Sequence, residues 1–217
     1  MDVKFVRLEN VYYLTDEEIH RLYKQIADNY FYDDLYCTIF KSETSRKWAL
    51  PYLFRHYIKA IRPFCHFVAD SSDLNSVMVV YDSSLDTSIL MRLRYVLFIF
   101  SLIPLAFGVH SISSIHHAID CIDMFLSFWM KDFVSADYYS VDLFYTKREA
   151  RHAGYGTKVI ESVIQNAKLN HFDVALETHR SDHVSIYEKF GFRLMGNITH
   201  EEYNVSKYCM LLKTSEG

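Results

Sequence analysis

The chain has 217 residues, of which 50% are hydrophobic and 23% are charged, and this composition is typical of one globular domain. Its formal net charge of −4 argues against nucleic acid as a partner, because phosphate-binding surfaces carry an excess of Lys and Arg. The 4 cysteines show no Cys-x-x-Cys spacing, so the sequence indicates neither a zinc knuckle nor a disulfide framework. We therefore expect reduced thiols, a cytoplasmic protein and no bound metal.

Capping residues and alternating patterns predict the elements of the first half. Thr15-Asp16-Glu17-Glu18 forms a capping box, which indicates the start of a helix. The segment 1–4 contains an acid and lacks an apolar core, so we expect no signal peptide. In chain order, we predict an edge strand at 4–8, a helix from 15 to about 28, a helix at 42–61 that Pro51 interrupts, and a hairpin of strands at 66–69 and 77–81.

Apolar helices are predicted to fill residues 88–131, and the stretch 95–109 is the most apolar part. It is 15 residues long and is broken by Pro104 and Gly108, whereas a membrane-spanning helix needs about 20. We therefore interpret this stretch as a buried helix or an oligomer contact, such as a homodimer interface, and expect no membrane partner. The 17 Tyr and 16 Phe residues of the chain favour either thick packing or a large apolar pocket.

The most informative segment is Arg151-His152-Ala153-Gly154-Tyr155-Gly156. The stretch 139–146 before it is aromatic and β-branched, which is typical of a strand, and 157–170 has helical periodicity. The glycines therefore lie at a strand-to-helix turn. There, missing Cβ atoms let backbone N–H groups approach an anion, and the helix macrodipole adds to the attraction. The segment is suited to hold a pyrophosphate.

Two known phosphate-binding loops do not fit this segment. Gly156 is followed by Thr157 and Lys158, the reverse of the Gly-Lys-Ser/Thr ending of the nucleoside triphosphatase loop. Arg151 occupies the place of the first glycine in the dinucleotide-binding fingerprint. Further along the chain, we predict a strand at 172–178, a helix at 182–190 that Gly191 ends, and a last strand at 205–213.

The remaining pattern, Arg-x-x-Gly-x-Gly, resembles the acetyl-coenzyme A loop of the GNAT N-acetyltransferase superfamily. Ile-Tyr-Glu-Lys-Phe-Gly-Phe at 186–192 is similar to a second segment of that superfamily, and Leu176-Glu177-Thr178 is similar to the strand end of its puromycin-type members. The resemblance implies a mixed α/β fold with a central, mostly antiparallel twisted sheet of about six to seven strands, a splayed central pair and flanking helices. It implies one domain, 1–217, in which 1–137 carries acceptor-side helices and 138–217 binds acetyl-CoA.

The resemblance also implies which residues hold acetyl-CoA. In the family, the exposed backbone of the strand before the loop pairs with pantetheine as a further strand would, which assigns Phe144, Tyr145 and Thr146. His183 stands where the family often has an asparagine that helps to hold the cofactor, so this contact is altered. Arg151 is either a direct phosphate contact or an exposed cation that raises the local potential. The pyrophosphate loop comprises Arg151, His152, Ala153, Gly154, Tyr155, Gly156 and Thr157.

Tyr187 lies where the superfamily places a tyrosine general acid, which gives the departing thiolate its proton. Its reference pKa of about 10 keeps it protonated at neutral pH; the alternative is a tyrosine that only packs against the sulfur end of the coenzyme. Glu177, at a strand end, is the first candidate for the base that takes the amine proton, and Asp142 is the second. Glu177 can equally hydrogen-bond the loop backbone. Three histidines are further candidates for the base, although a lone histidine is more often structural: His116, His117 and His179.

The resemblance implies direct transfer of an acetyl group from acetyl-CoA to a primary amine in a ternary complex, without a metal. A backbone N–H of residues 144–146 can hold the developing oxyanion. An acidic chain with an aromatic middle section favours a small-molecule amine as the acceptor. Two alternatives stay open: a protein or peptide N-acetyltransferase, and a protein that binds acetyl-CoA without catalysis, as a sensor.

Overall fold

The computed structural model describes residues 7–86, 89–108, 129–134 and 137–214. Residues 4–6 of the predicted edge strand, together with His116 and His117, lie outside these ranges. Residues 7 and 8 are not in a strand, and the edge of the sheet is formed instead by Tyr12–Tyr13.

Side-chain caps start the first three helices of the described chain, and the predicted capping box at Thr15 is confirmed. The helices are α1 (Asp16–Asn29), α2 (Asp34–Ile39), α3 (Glu43–Ile61), α4 (Ile89–Ser101), α5 (Ile103–Gly108), α6 (Met130–Phe133), α7 (Tyr155–Asn170) and α8 (Ser181–Glu188). The strands are β1 (Tyr12–Tyr13), β2 (Cys65–Ala69), β3 (Ser76–Asp82), β4 (Tyr138–Thr146), β5 (Asp173–Thr178), β6 (Arg193–His200) and β7 (Val205–Leu212).

The described strands form a 7-stranded sheet in the order β1-β2-β3-β4-β5-β7-β6. Every neighbouring pair is antiparallel except β4 and β5, which are parallel. The predicted mixed α/β fold with a mostly antiparallel sheet is therefore confirmed. Strand β6 was not predicted, because its residues are mostly exposed on both faces and show no apolar alternation.

The parallel pair separates partway along its length. Residues 138–141 of β4 pair with residues 173–176 of β5, but beyond Val141 and Leu176 the two strands no longer pair. Residues 142–146 of β4 still pair with β3 on their other side, apart from a bulge. One edge of β4 therefore faces a wedge-shaped opening, which is the splay that the family resemblance implied.

A β-bulge lies at the point where this splay begins. Val80 pairs with Val141 and Val79 pairs with Leu143, so Asp142 has no partner on β3 and is the extra residue of the bulge. Bulges re-aim the side chain of the extra residue and increase the local twist. The side chain of Asp142 points to the sheet face that α3 covers, where it contacts Tyr57.

The two faces of the sheet carry separate hydrophobic cores. One face packs against α1, α2 and α3 through residues such as Val79, Leu143 and Phe54. The other face packs against α7 through residues such as Val141 and Ile160. The first core supports the wall of the splay that is formed by α1 and α2, and the second supports the N-terminal end of α7.

The predicted interruption of the third helix at Pro51 is wrong, because α3 runs continuously from Glu43 to Ile61 with Pro51 inside it. An internal proline removes one helical hydrogen bond and costs about 3 kcal/mol or more. Leu50 and Phe54 on either side of it are fully buried. Their packing offsets the cost, since tertiary contacts outweigh local propensity.

The apolar stretch at 95–109 is helical in its described part, within α4 and α5. The interpretation as a buried helix is wrong for the part of this stretch that lies in α4, because Ile99 is 61% exposed and Phe100 is 62% exposed. Leu105 of α5 is buried. No helix in the described residues is both long and apolar enough to cross a membrane. The homodimer contact stays a prediction.

Candidate functional site

The glycine loop connects the end of β4 to the start of α7. A short 3-10 turn, Arg148–Ala150, follows the strand, and Gly154 is the N-cap residue of α7 with φ +85°, in the left-handed region that glycine adopts at no steric cost. Gly154 has no side chain to satisfy the first N–H groups of α7, and residues 151–154 are exposed. The loop therefore presents unpaired backbone donors at the positive end of a helix dipole.

Gly156 has a different role, which is close packing. A Cβ atom at this position would lie 3.0 Å from Thr146 Oγ1 and 3.3 Å from Phe144 Cζ. Both distances are shorter than ordinary van der Waals contacts. The glycine thus allows the first turn of α7 to lie directly against the end of β4.

A cavity of about 760 Å³ fills the opening between the splayed ends of β4 and β5. Residues from α1, the loop before α2, the glycine loop and α8 line it. The structure brings together in this cavity nearly every candidate site residue within the described ranges: Asp142, Phe144, Tyr145, Thr146, Arg151, His152, Gly154, Tyr155, Gly156, Thr157, Glu177, His179, His183 and Tyr187. Ala153 does not line it.

The edge of β4 that faces the cavity is contacted by two side chains. The N–H of Phe144 donates to the Tyr30 hydroxyl at 3.2 Å, and that hydroxyl donates to the C=O of Phe144, also at 3.2 Å. Nε of Arg151 donates to the C=O of Thr146 at 3.4 Å. Backbone groups of residues two apart in a strand point to the same edge, so the backbone groups of Phe144 and Thr146 both face the cavity.

Tyr187 projects from α8 into the same cavity. Burial raises the pKa of its hydroxyl to about 12. Its ring lies edge-on to the rings of His183 and Phe192, at centroid distances of 6.3 and 6.0 Å. Burial lowers the pKa of His183, so this imidazole is neutral near pH 7, and its Nδ1 lies 3.3 Å from Thr178 Oγ1.

Asp142 lies at the inner end of the cavity. The hydroxyl of Tyr57 lies 2.7 and 2.9 Å from its two carboxylate oxygens. The pKa of Asp142 is raised to about 6: burial is the main cause, the Tyr57 hydrogen bond opposes the rise, and the nearby charge of Glu177 adds to it. The pKa of this carboxyl is thus close to neutral pH, as suits a group that takes up and releases a proton during a reaction.

Glu177 is held by partners that sequence reasoning missed. Its Oε1 accepts a hydrogen bond from Trp129 Nε1 at 2.6 Å and lies 3.6 Å from Nζ of Lys207. The side chain of Lys207 is fully buried. A carboxylate this close to a buried lysine lowers the cost of burying the lysine, because the two opposite charges compensate each other. Glu177 therefore lines the cavity as one half of an ion pair.

Tyr30, Tyr57 and Lys207 come from distant parts of the chain. Tyr57 is 85 residues from Asp142, and Tyr30 is 114 residues from Phe144. No motif marks any of the three, and only the aromatic richness of the chain pointed to tyrosines around a pocket.

Comparison with known proteins gives matches at the level of structure. No family model matches the chain, and neither does any curated protein. A solved structure from Corynebacterium glutamicum, described as histone acetyltransferase HPA2 and related acetyltransferase, has a TM-score of 0.64 at 14% identity, over 94% of this chain and 95% of that one.

Two insect enzymes also match in structure. Arylalkylamine N-acetyltransferase 2 of Aedes aegypti has a TM-score of 0.56 at 11% identity, over 94% of this chain and 98% of that one. The polyamine N-acetyltransferase of Drosophila melanogaster, which forms N-acetylagmatine, has a TM-score of 0.52 at 11% identity, with the same coverage of 94% and 98%. The chain therefore has the fold of the GNAT acetyltransferases.

Proposed function

We propose that this protein is an N-acetyltransferase that moves an acetyl group from acetyl-CoA to a primary amine of a small molecule. The observation that carries the proposal is the meeting of three features in one cavity: the glycine loop, the open edge of β4, and the side chains of Asp142 and Tyr187. Each feature corresponds to one requirement of the reaction, namely cofactor binding, acyl positioning and proton transfer.

The glycine loop and β4 supply the cofactor contacts. The N–H groups at the start of α7, with Arg151 beside them, bind the pyrophosphate through hydrogen bonds and the helix dipole. The pantetheine arm pairs with the open edge at Phe144 and Thr146, as a peptide adds to a sheet. The N–H of Phe144 or a neighbouring residue then polarises the thioester carbonyl.

Two side chains move the protons. Asp142 takes the proton of the attacking amine, directly or through water. The nitrogen of the amine forms the new C–N bond as the C–S bond of the thioester breaks. Tyr187 then protonates the departing thiolate. Asp142 is favoured over Glu177 as the base because Lys207 and Trp129 already bind the Glu177 carboxylate. This reverses the order of the two candidates expected from the sequence.

A small amine is the acceptor favoured by the surroundings of Asp142. Asp142 and the aromatic side chains of Tyr30 and Tyr187 line the same cavity, which suits a cationic or aromatic amine. The similar folds of the arylalkylamine and polyamine N-acetyltransferases support the same class. A protein or peptide acceptor and a non-catalytic sensor of acetyl-CoA are the alternatives.

The proposal is tested by following thiol release from acetyl-CoA with a panel of arylalkylamines, diamines and lysine peptides. We expect release that depends on a small amine and yields an equal amount of acetylated product. Release with lysine peptides alone would favour the protein acetyltransferase. Binding of acetyl-CoA with no release on any amine would favour the sensor.

The acid role of Tyr187 predicts a kinetic effect. Tyr187→Phe should lower kcat about 10- to 100-fold, because the thiolate must leave without a proton, while the affinity for acetyl-CoA changes less than about twofold. Tyr52→Phe is the control, since that hydroxyl bonds to the C=O of Ser101 outside the cavity. An unchanged kcat in Tyr187→Phe would leave the tyrosine only a packing role.

The hydrogen bond from Tyr57 predicts a change in the pH profile. It stabilises the ionised form of Asp142, so Tyr57→Phe should raise the pKa of that carboxyl by about one unit above its value of about 6. Because the base must be ionised, the rising acid limb of kcat/KM should move to higher pH by the same amount. Tyr52→Phe on the same helix should leave the limb in place. An unmoved limb in Tyr57→Phe would show that Asp142 is not the titrating base.

A further inference from the structure

The open edge of β4 has a competitor for its hydrogen bonds within the chain itself. The hydroxyl of Tyr30 lies 3.2 Å from both the N and the O of Phe144 and uses both backbone groups. A pantetheine chain or thioester that pairs with this edge needs the same N–H. The N–H has one proton to donate, so the two partners exclude each other.

Tyr30 is held there by the end of α1. Its backbone N–H donates to the C=O of Ile26 at 2.9 Å, and its ring packs against Tyr36 and Phe54 at centroid distances of 6.1 and 5.8 Å. The hydroxyl is close enough to Asp142 and Tyr187 for both to influence its pKa, which burial raises. The side chain therefore reaches the centre of the proposed reaction site from the opposite wall.

We propose that Tyr30 is a further residue of the cofactor site, whose hydroxyl competes with acetyl-CoA for the backbone of Phe144 and is displaced from it when the cofactor binds. The inference rests on the proposed function. Displacement of the hydroxyl requires the ring to shift against Tyr36 and Phe54, and the turn at 30–33 that carries the ring moves with it. That turn ends at Asp33, which caps α2 by accepting a hydrogen bond from the N–H of Leu35 at 3.1 Å. Cofactor binding thereby changes the part of the cavity wall that Tyr30, Tyr32 and Asp33 form.

Tyr30→Phe is the direct test, because it removes the competing hydroxyl and keeps the ring. We expect acetyl-CoA to bind about three- to tenfold more tightly, since the cofactor no longer replaces an existing hydrogen bond at Phe144. The association rate constant measured by stopped flow should rise as well. Tyr36→Phe is the matched control: its ring packs against the same Phe54, at 5.4 Å, but does not line the cavity, and its affinity should be unchanged.

The outcomes separate this inference from the function on which it rests. If the wild type binds acetyl-CoA and Tyr30→Phe binds it equally or more weakly, the proposed competition is overturned. The hydroxyl would then have no effect on binding or would contact the bound cofactor. Equal tightening in Tyr36→Phe would also overturn it, since a general loosening of the core would explain the gain. Failure of the folded wild type to bind acetyl-CoA would overturn the proposed function, and this inference with it.

Discussion

Gly154→Val should weaken acetyl-CoA binding at least about a hundredfold while the protein stays folded. Gly154 has φ +85° at the N-cap of α7, and a non-glycine residue in this region costs about 1–2 kcal/mol, more when it is β-branched. The strain turns the N–H groups of the loop away from the pyrophosphate, and the new side chain stands beside them. Loss of several charge-assisted hydrogen bonds at about 1.5–3 kcal/mol each accounts for the expected effect. Calorimetric titration of the variant measures it.

Gly191→Val is the matched control for Gly154→Val. Gly191 also has positive φ, at +91°, and the nearest atom to its Cβ position is Leu212 Cδ1 at 3.6 Å. The two substitutions therefore impose similar backbone strain and lower the free energy of unfolding by similar amounts, but only one lies in the loop. Equal loss of affinity in both variants, or none in Gly154→Val, would contradict the role of the loop as the phosphate site.

Asp142→Asn should lower kcat by about a hundredfold or more, which is typical for loss of a general base. The amide has nearly the same shape and still accepts the Tyr57 hydrogen bond, so the fold and the cofactor affinity should be retained. The expected pH dependence follows from the raised pKa of about 6: the carboxyl is protonated and inactive below this pH and ionised above it. In the wild type, kcat/KM should therefore rise through about pH 6, and in Asp142→Asn this rise should disappear.

Glu177→Gln serves as the comparison for Asp142→Asn. Glu177→Gln removes the charge that lies 3.6 Å from the buried Nζ of Lys207, so its main effect should be a loss of stability, with the acid limb of the pH profile retained. Loss of the acid limb in Glu177→Gln, with the limb intact in Asp142→Asn, would assign the base to Glu177.

Most of the second half of the fold, with β6 as the exception, was predictable because its signals are local. The predicted strand at 139–146 is observed at 138–146, the helix at 157–170 is observed at 155–170, and the strand at 172–178 is observed at 173–178. Gly154 and Gly191 mark their turns directly, since both adopt positive φ. The glycine loop, β4 and Tyr187 thus follow from residues that are neighbours in sequence.

The inner part of the site was not predictable, because long-range contacts decide it. Asp142 is the better candidate base because a bulge against β3 sets the direction of its side chain and Tyr57 of α3 donates a hydrogen bond to it. Glu177 became the weaker one through Lys207 on β7 and Trp129. The continuity of α3 through Pro51 has the same origin, since buried neighbours outweigh the local preference.

A crystal structure with acetyl-CoA would show where the cofactor lies relative to the glycine loop and β4. We predict that the pyrophosphate lies against residues 151–156 at the start of α7, and that pantetheine lies between β4 and β5 with its groups hydrogen-bonded to Phe144 and Thr146. The sulfur should then be within reach of the Tyr187 hydroxyl, and the acetyl group should face Asp142. Acetyl-CoA bound elsewhere, or bound in the cavity without contact to the glycine loop and the edge of β4, would contradict the account.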